Sequence, residues 1–326
     1  MEIIQRYRFD MNGILYLEQL IGNGITPKVN RNNAISARQK ILITLRYLAT
    51  GPIQLNDSDL HKVSQPTVSR VLTSVIDVLS SPDIVRQFIR FPTMDDQFRR
   101  NSLQFQGIAR FPNVIGVIDG THIGIKAPHE HEEVFVNRKG VHSITVQVVF
   151  DPFHRIIDVV ARWPGSVHDS RVLRESGLFE LFEGGHANGY YLLGDSGYPA
   201  KRWLLTPYLA PQNATEEGYN RSHKITRALV ERSIGQLKKR FGVLHGEINL
   251  EPQKVCKVIV ACCVLHNICK ERAIPINGDD DSDDEDDNAD DQLAQGVQQP
   301  PNVAGNRFRD HVAATYFSND SCFCCC

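Results

Sequence analysis

The stretch VIGVIDGTHIGI (114–125) decides the reading of this chain. A short apolar run leads into Asp119, and Gly120 follows at once. That order predicts a β-strand that ends by presenting a carboxylate at the edge of a sheet. The stretch YYLLGDSGYP (190–199) repeats it, with Asp195 followed by Ser-Gly. A third acid, Glu231, lies in RALVERSIGQLKKRF (227–241), with 35 residues between it and Asp195. Acids at strand ends are common, so either aspartate alone says little. Two strand-borne aspartates and a helix-borne glutamate, in this order, form the constellation that holds paired divalent metals for phosphodiester chemistry. Hard cations such as Mg²⁺ or Mn²⁺ take carboxylate oxygens and retain waters, so three carboxylates suffice. Asp119 is expected to bridge the ions, and Asp195 and Glu231 to hold one side each.

The helix around Glu231 supports that assignment. Val230, Ile234, Leu237 and Phe241 fall at i, i+4, i+7 and i+11 and make a buried stripe. Arg227, Glu231, Gly235 and Lys238 share the flank beside it, where a residue without a side chain admits a phosphate backbone closely. The plainer reading is an exposed helix laced with pairs such as Arg227–Glu231, worth a few tenths of a kcal/mol. The two aspartates tip the balance toward a catalytic and metal-binding set of Asp119, Asp195 and Glu231, with Arg227 and Lys238 as substrate contacts. His122, three residues past Asp119, reaches the same sheet edge only if the strand bends; it contacts substrate or merely packs. Arg138 and Lys139, in the basic turn NRKG, read equally as phosphate contacts or as a solvated loop. His168 is a further candidate contact, whereas first-turn electrostatics account for its neighbour Asp169.

Farther out, the periodicity divides the chain. Residues 1–100 read as a helical region containing a helix-turn-helix at about 34–80: a helix over 34–50, a short polar helix LNDSDLHK (55–62), then VSQPTVSRVLTSVIDVLSS (63–81). The last helix would offer Gln65, Thr67, Ser69 and Arg70 to phosphates and base edges. Residues 114–272 carry β-β-β-α-β-α, an α/β, ribonuclease-H-like mixed sheet with flanking helices and the acids after the first and fourth strands and on the last helix. Residues 273–326 read as an acidic, disordered tail, since GDDDSDDEDDNADDQ (278–292) has no apolar surface to bury.

The net charge of −2 hides a segregation: 12 acidic and two basic residues lie in 273–326, leaving 34 basic and 26 acidic in 1–272. A basic body suits a nucleic-acid partner. No apolar run reaches the ~18 residues a membrane span needs; VCKVIVACCVLHNICKER is broken by Lys257, His266 and Asn267. No membrane role is therefore expected, and oligomerisation stays open. Cys262, His266 and Cys269 fall at i, i+4 and i+7, but no second ligand-bearing segment accompanies them, so buried reduced thiols are expected rather than a zinc site.

Six long motifs occur in order: VIGVIDGTHIGIKAP, FVNRKGVHS, VVARWPGSVHDSRVLR, LLGDSGYPAKRWLLTPY, YNRSHKITRALVERSIGQLKKRF and KVCKVIVACCVLHNIC. With SQPTVSR they make residues 6–272 resemble the PIF/Harbinger transposases, most of all the animal Harbinger transposase-derived nucleases. The resemblance implies a DDE catalytic domain on Asp119, Asp195 and Glu231, a divalent metal cofactor, DNA as substrate, and action in the nucleus. It also implies a separate Myb/SANT-like DNA-binding partner. The expectation is a metal-dependent nuclease; an active transposase and a catalytically silent DNA- or protein-binding module are the alternatives.

Overall fold

The computed structural model describes residues 2–26, 34–51, 63–276 and 302–318. The three β-rich runs form β1 (Val114–Gly124), β2 (Ser143–Phe150) and β3 (Ile156–Pro164), paired antiparallel in succession. β1 also pairs in parallel with β4 (Tyr191–Leu193), and β4 with β5 (Leu204–Leu205), giving a mixed sheet of order β3-β2-β1-β4-β5. The α/β class is as expected. β5 is an addition: two residues are too few to show a period.

The expected end of the first strand needs correction. β1 runs past Asp119, and its ladder with β2 continues to the Gly124–Ser143 pair without a shift. What stops near Asp119 is the other ladder, since the pairing with β4 ends at Val117–Leu193. Asp119 therefore sits where two parallel strands part, the place where open α/β sheets bind ligands. With no bend between them, Asp119 and His122 alternate to opposite faces.

Helices cover both faces. On one, Val117, Ile123, Val146, Val148 and Phe150 meet α10 (Ala214–Arg240) and α11 (Pro252–Glu271). The stripe Val230, Ile234, Leu237 and Phe241 is at most 3% exposed, as its spacing predicts. On the other, Ile115, Ile118, Val149 and Leu192 meet α8 (Asp169–Arg174) and α9 (Gly177–Glu183). The sequence reads α8 and α9 as one helix; the Ser176 hydroxyl accepts from the Phe179 amide and starts the second. The polar bridge after β1 holds only the single-turn α7 (Glu132–Phe135).

Among the described residues six helices precede the sheet: α1 (Glu2–Tyr7), α2 (Met11–Ile25), α3 (Ala37–Thr50), α4 (Gln65–Leu79), α5 (Pro82–Phe88) and α6 (Asp95–Ala109). A reciprocal Ser36–Gln39 capping box starts α3, and Pro66 sits in the first turn of α4. The short helix expected between them, 55–62, lies outside the described residues. α11 is long and apolar enough to cross a membrane, yet most of it is buried in the core. Its two mid-span polar residues are clamps: Asn267 bonds the Phe88 carbonyl and both backbone groups of Ile156, and His266 Nε2 lies 2.9 Å from the His154 carbonyl. Burial pushes the Cys263 and Cys269 thiols up to about 12, as inert core groups.

The C-terminal tail also departs from expectation. Val303–Tyr316 form a helix, α12, whose Val312 and Ala313 enter the core with the following Phe317. The acidic run masks this in the sequence, because the apolar residues beyond it are few. The run itself, 278–292, lies outside the described residues.

Candidate active site

The three acids of the sequence reading enter from three elements. Asp119 projects from β1 toward α10, its side chain 15% exposed. Asp195 follows β4 by two residues and is half-buried; its Oδ1 accepts from the Gly197 amide, a tight turn that only a short side chain closes. Glu231 lies mid-way along α10, with its side chain 57% exposed. Arg227, one turn earlier and 13% exposed, joins two of them: Nη2 donates to Asp119 Oδ1 at 2.9 Å and Nη1 to Glu231 Oε1 at 3.0 Å. The i,i+4 pair expected on this helix exists, with Asp119 added to it.

The electrostatics follow. Burial lifts the Asp119 carboxyl to about 7; Arg227 opposes the rise, while Asp195 and Asp169 add to it. Burial works against the Arg227 charge, but Asp119, Asp195 and Glu231 together hold it firmly protonated. Asp169 was assigned to helix electrostatics, yet its carboxylate lies against β1. A Cβ at Gly120 would fall 2.7 Å from Asp169 Cγ and 2.9 Å from Oδ2, with Oδ1 nearer still.

The other candidate contacts divide into two groups. Arg138 Nη2 lies 2.9 Å from His168 Nδ1, and His122 Nδ1 lies 3.1 Å from the Ser143 hydroxyl, which also accepts from Asn137. Burial lowers the His122 pKa, and Arg138, Lys238 and Lys139 lower it further. His122, Arg138, Lys139 and Lys238 thus share one positive neighbourhood, with His168 held against Arg138. Gln65, Thr67, Ser69 and Arg70 belong to the first turns of α4, which packs on α2, α3 and α11. There Thr67 Oγ1 bonds the Ser64 hydroxyl and accepts from Arg70.

The donor set suits a hard divalent cation in kind: carboxylates at two strands and a helix, with Asp195 and Asp169 adding to the rise that burial causes at Asp119. A buried polar atom without a partner points the same way. Among the described residues the Tyr198 hydroxyl makes no hydrogen bond although the residue is 4% exposed. In position the set is held open: among the described residues no three His, Cys, Asp or Glu side chains converge on a point a metal could occupy. Arg227 supplies the positive charge between Asp119 and Glu231 instead.

Residues 118–267, from just before Asp119 to the end of the core helix, match the DDE superfamily endonuclease family. "Putative nuclease HARBI1" of Mus musculus is 34% identical over 324 residues, covering 97% of this chain and 90% of the relative. This chain belongs to the Harbinger transposase-derived nucleases. Within that family the human protein of the same name is 32% identical over 329 residues, at the same coverage. Plant relatives are also similar, among them "Protein ALP1-like" of Arabidopsis thaliana, 29% identical over 81% of this chain and 68% of that protein. No solved structure matches this member of the family. Two residues beside the acids, Asp169, which the sequence reading gave to its own helix start, and Tyr198, which it did not single out, stand in the motifs VHDS and GDSGYP. A signal for Asp169 was present in Gly120, which leaves room for it.

Proposed function

We propose that this Harbinger-type chain is a nuclease that hydrolyses DNA phosphodiester bonds with divalent metal, Mg²⁺ or Mn²⁺, held by Asp119, Asp195 and Glu231. One observation carries the reading. Asp119 and Asp195 come together where β1 and β4 part, and Arg227 ties Glu231 to Asp119, within a chain similar to DDE endonucleases throughout this region. When bound, the cations supply a water activated near neutral pH and a counter-charge for phosphate oxygens.

The chain's own residues do the rest. Asp119 is fixed by the Gly120 amide and by Arg227, so its carboxylate is oriented before substrate arrives. A guanidinium matches a phosphate as well as a carboxylate, so an entering phosphodiester competes for Arg227. His122, Arg138, Lys139, His168 and Lys238 are the neighbouring groups for backbone phosphates, contacts that position DNA without reading its sequence. Base-edge contacts, in this proposal, come from Gln65, Thr67, Ser69 and Arg70 on α4. Nuclear action and recruitment by a Myb/SANT-like protein belong to the same proposal.

The test is nicking of supercoiled plasmid in Mg²⁺ or Mn²⁺, with and without such a partner. The wild type is expected to nick, and Asp119→Asn, Asp195→Asn and Glu231→Gln to lose activity while keeping their fold by circular dichroism. Equal nicking by wild type and Asp119→Asn would refute the assignment.

A further inference from the structure

We propose that Trp163, with Arg162 and Arg171 at its ring, is a stacking station for an unpaired DNA base next to the phosphodiester to be cut. The proposal rests on the nuclease reading above and deepens it. The substrate it names is DNA opened beside the scissile bond, in preference to an intact duplex.

The placement follows from the sheet. His122 on β1 stands opposite Thr145 on β2, and Thr145 stands opposite Trp163 on β3. Directly opposed residues share a face, so the three form one row across the sheet. Gly120 lies on the same face, two residues from His122, and the Asp169 carboxylate rests against it. The row therefore starts beside the acids and ends at β3, the edge strand. Two strand spacings, about 10 Å, separate its ends. At Trp163 the ladder slips: Thr145 pairs with Trp163 but Val146 with Ala161, which leaves Arg162 as an extra residue. Such a bulge sharpens the local twist and re-aims the side chains around it.

Aromatic and cationic groups gather at this bulge. The guanidinium carbon of Arg162 lies 5.6 Å from the Trp163 ring centroid, and that of Arg171 lies 5.4 Å away. Glu175 anchors both, its carbonyl accepting from Arg162 and its carboxylate from Arg171. The Arg171–Glu175 pair is 56% and 39% exposed, and a pair so open to water yields readily to a competing anion. Nearer the acids, Arg138 meets His168 rather than a carboxylate. Burial, and then Arg138 itself, lowers the His168 pKa, so Arg138 keeps an unbalanced positive charge.

One polar atom at the bulge is left over. Trp163 Nε1 is shielded from solvent and has no hydrogen-bond partner among the described residues, although a buried indole N–H ordinarily finds one. Two arginines packed on a tryptophan would be enough to cover an edge bulge. That role accounts neither for the orphan N–H nor for a row that leads to the acids. A nucleotide accounts for both. Its base offers a π-face to the ring, its oxygens accept from the indole and from Arg171, and the next phosphate reaches Arg138. In a duplex the base faces are occupied by their neighbours, so an unpaired base is the one that can use the ring.

The experiment measures DNA binding to the full chain in EDTA, where no cutting occurs, by fluorescence anisotropy. It compares a dye-labelled duplex with the same duplex carrying a short mismatched bubble. Wild type is expected to prefer the bubble on the order of 10-fold, the value of one stacked base. Trp163→Ala is expected to lose that preference while keeping its duplex affinity, and Trp163→Phe to retain most of it. A purely structural Trp163 would lower the melting temperature and leave the preference unmoved. The inference is overturned if wild type binds both DNAs equally, or if Trp163→Ala keeps the preference. In either case the nuclease reading survives and stands or falls on the nicking assay. Binding of neither DNA at low salt would sink both readings together. Should Trp163→Ala fail to fold, 2-aminopurine placed in the bubble decides with wild type: quenching on binding supports the stacked base, and unchanged emission overturns it.

Discussion

Asp158 on β3 provides a test of the electrostatics that is independent of catalysis. Its Oδ2 is buried without a partner among the described residues, and burial alone pushes its carboxyl from the ordinary 3.8 to about 7. Between those values the folded chain holds a proton that the unfolded chain has released. Stability must therefore fall as pH rises through this window, the reverse of the usual ion-paired carboxylate. At about 1.4 kcal/mol per unit, the carboxylate costs about 2 kcal/mol at pH 5 and about 4 kcal/mol at pH 8, where the loss is complete. Asp158→Asn removes the ionisation. An Asn amide at this position also lacks a partner, but that cost is the same at both pH values and cancels in the comparison. Urea unfolding of the metal-free wild type and variant at pH 5 and pH 8 is the assay. The variant's advantage is expected to be about 2–3 kcal/mol larger at pH 8. Equal differences at the two pH values would show that Asp158 is not a buried, proton-holding carboxyl. The result matters for function, because nuclease assays near pH 8 meet the chain at its less stable end, and Asp119 adds to the same trend.

Two further substitutions test the joints of the fold. Arg240 is 2% exposed and donates to the Ile274, Pro275 and Arg8 carbonyls, linking the end of α10 to the chain after α11 and to the turn before α2. Arg240→Ala strands those carbonyls, each costing about 1–3 kcal/mol when left unsatisfied, so a loss of about 3–5 kcal/mol is expected in urea unfolding, and a loss under about 1 kcal/mol would contradict that role. Gly305 in α12 abuts the Ala200 carbonyl, and an added methyl would also stand 2.8 Å from the Lys201 amide. Backbone cannot yield there, so Gly305→Ala is expected to lift α12 at a cost of about 1–3 kcal/mol and to uncover Phe111 and Tyr219, which pack on Phe317. Unchanged melting and unchanged binding of a hydrophobic dye would show that the helix tolerates the methyl.

What could be read from the sequence was whatever repeats with a period. Runs of eight to 11 residues gave β1, β2 and β3, and the stripe from Val230 to Phe241 gave α10 and the face that Glu231 borders. What escaped was set by partners distant in sequence. β5 exists because Leu204 and Leu205 pair with β4, and α12 because Phe317 meets Phe111 and Tyr219. The end of β1 was misplaced for a related reason: a carboxylate after an apolar run signals the loss of a neighbour, and the lost neighbour was β4, not the strand itself. The contact of Asp169 with β1 was not legible because its own helix offered a sufficient explanation for an acid there. The deciding fact, an open position at Gly120, involves a residue 49 places earlier.

The same reasoning gives Arg227 a meaning that spacing alone could not supply. As half of an i,i+4 pair on an exposed helix it would contribute a few tenths of a kcal/mol. Bonded to Asp119 at 13% and 15% side-chain exposure, it is a largely desolvated ion pair, and removing either partner strands a charge. Burial lifts the Asp119 carboxyl to about 7 even though Arg227 opposes the rise, so its ionised form depends on a cation beside it. Arg227 is that cation in this structure, so it stabilises the chain and also keeps Asp119 and Glu231 from meeting a metal together. In the proposed reaction, a divalent ion reaches both acids once the guanidinium has another anion, and a DNA phosphate is the anion that the proposed substrate brings.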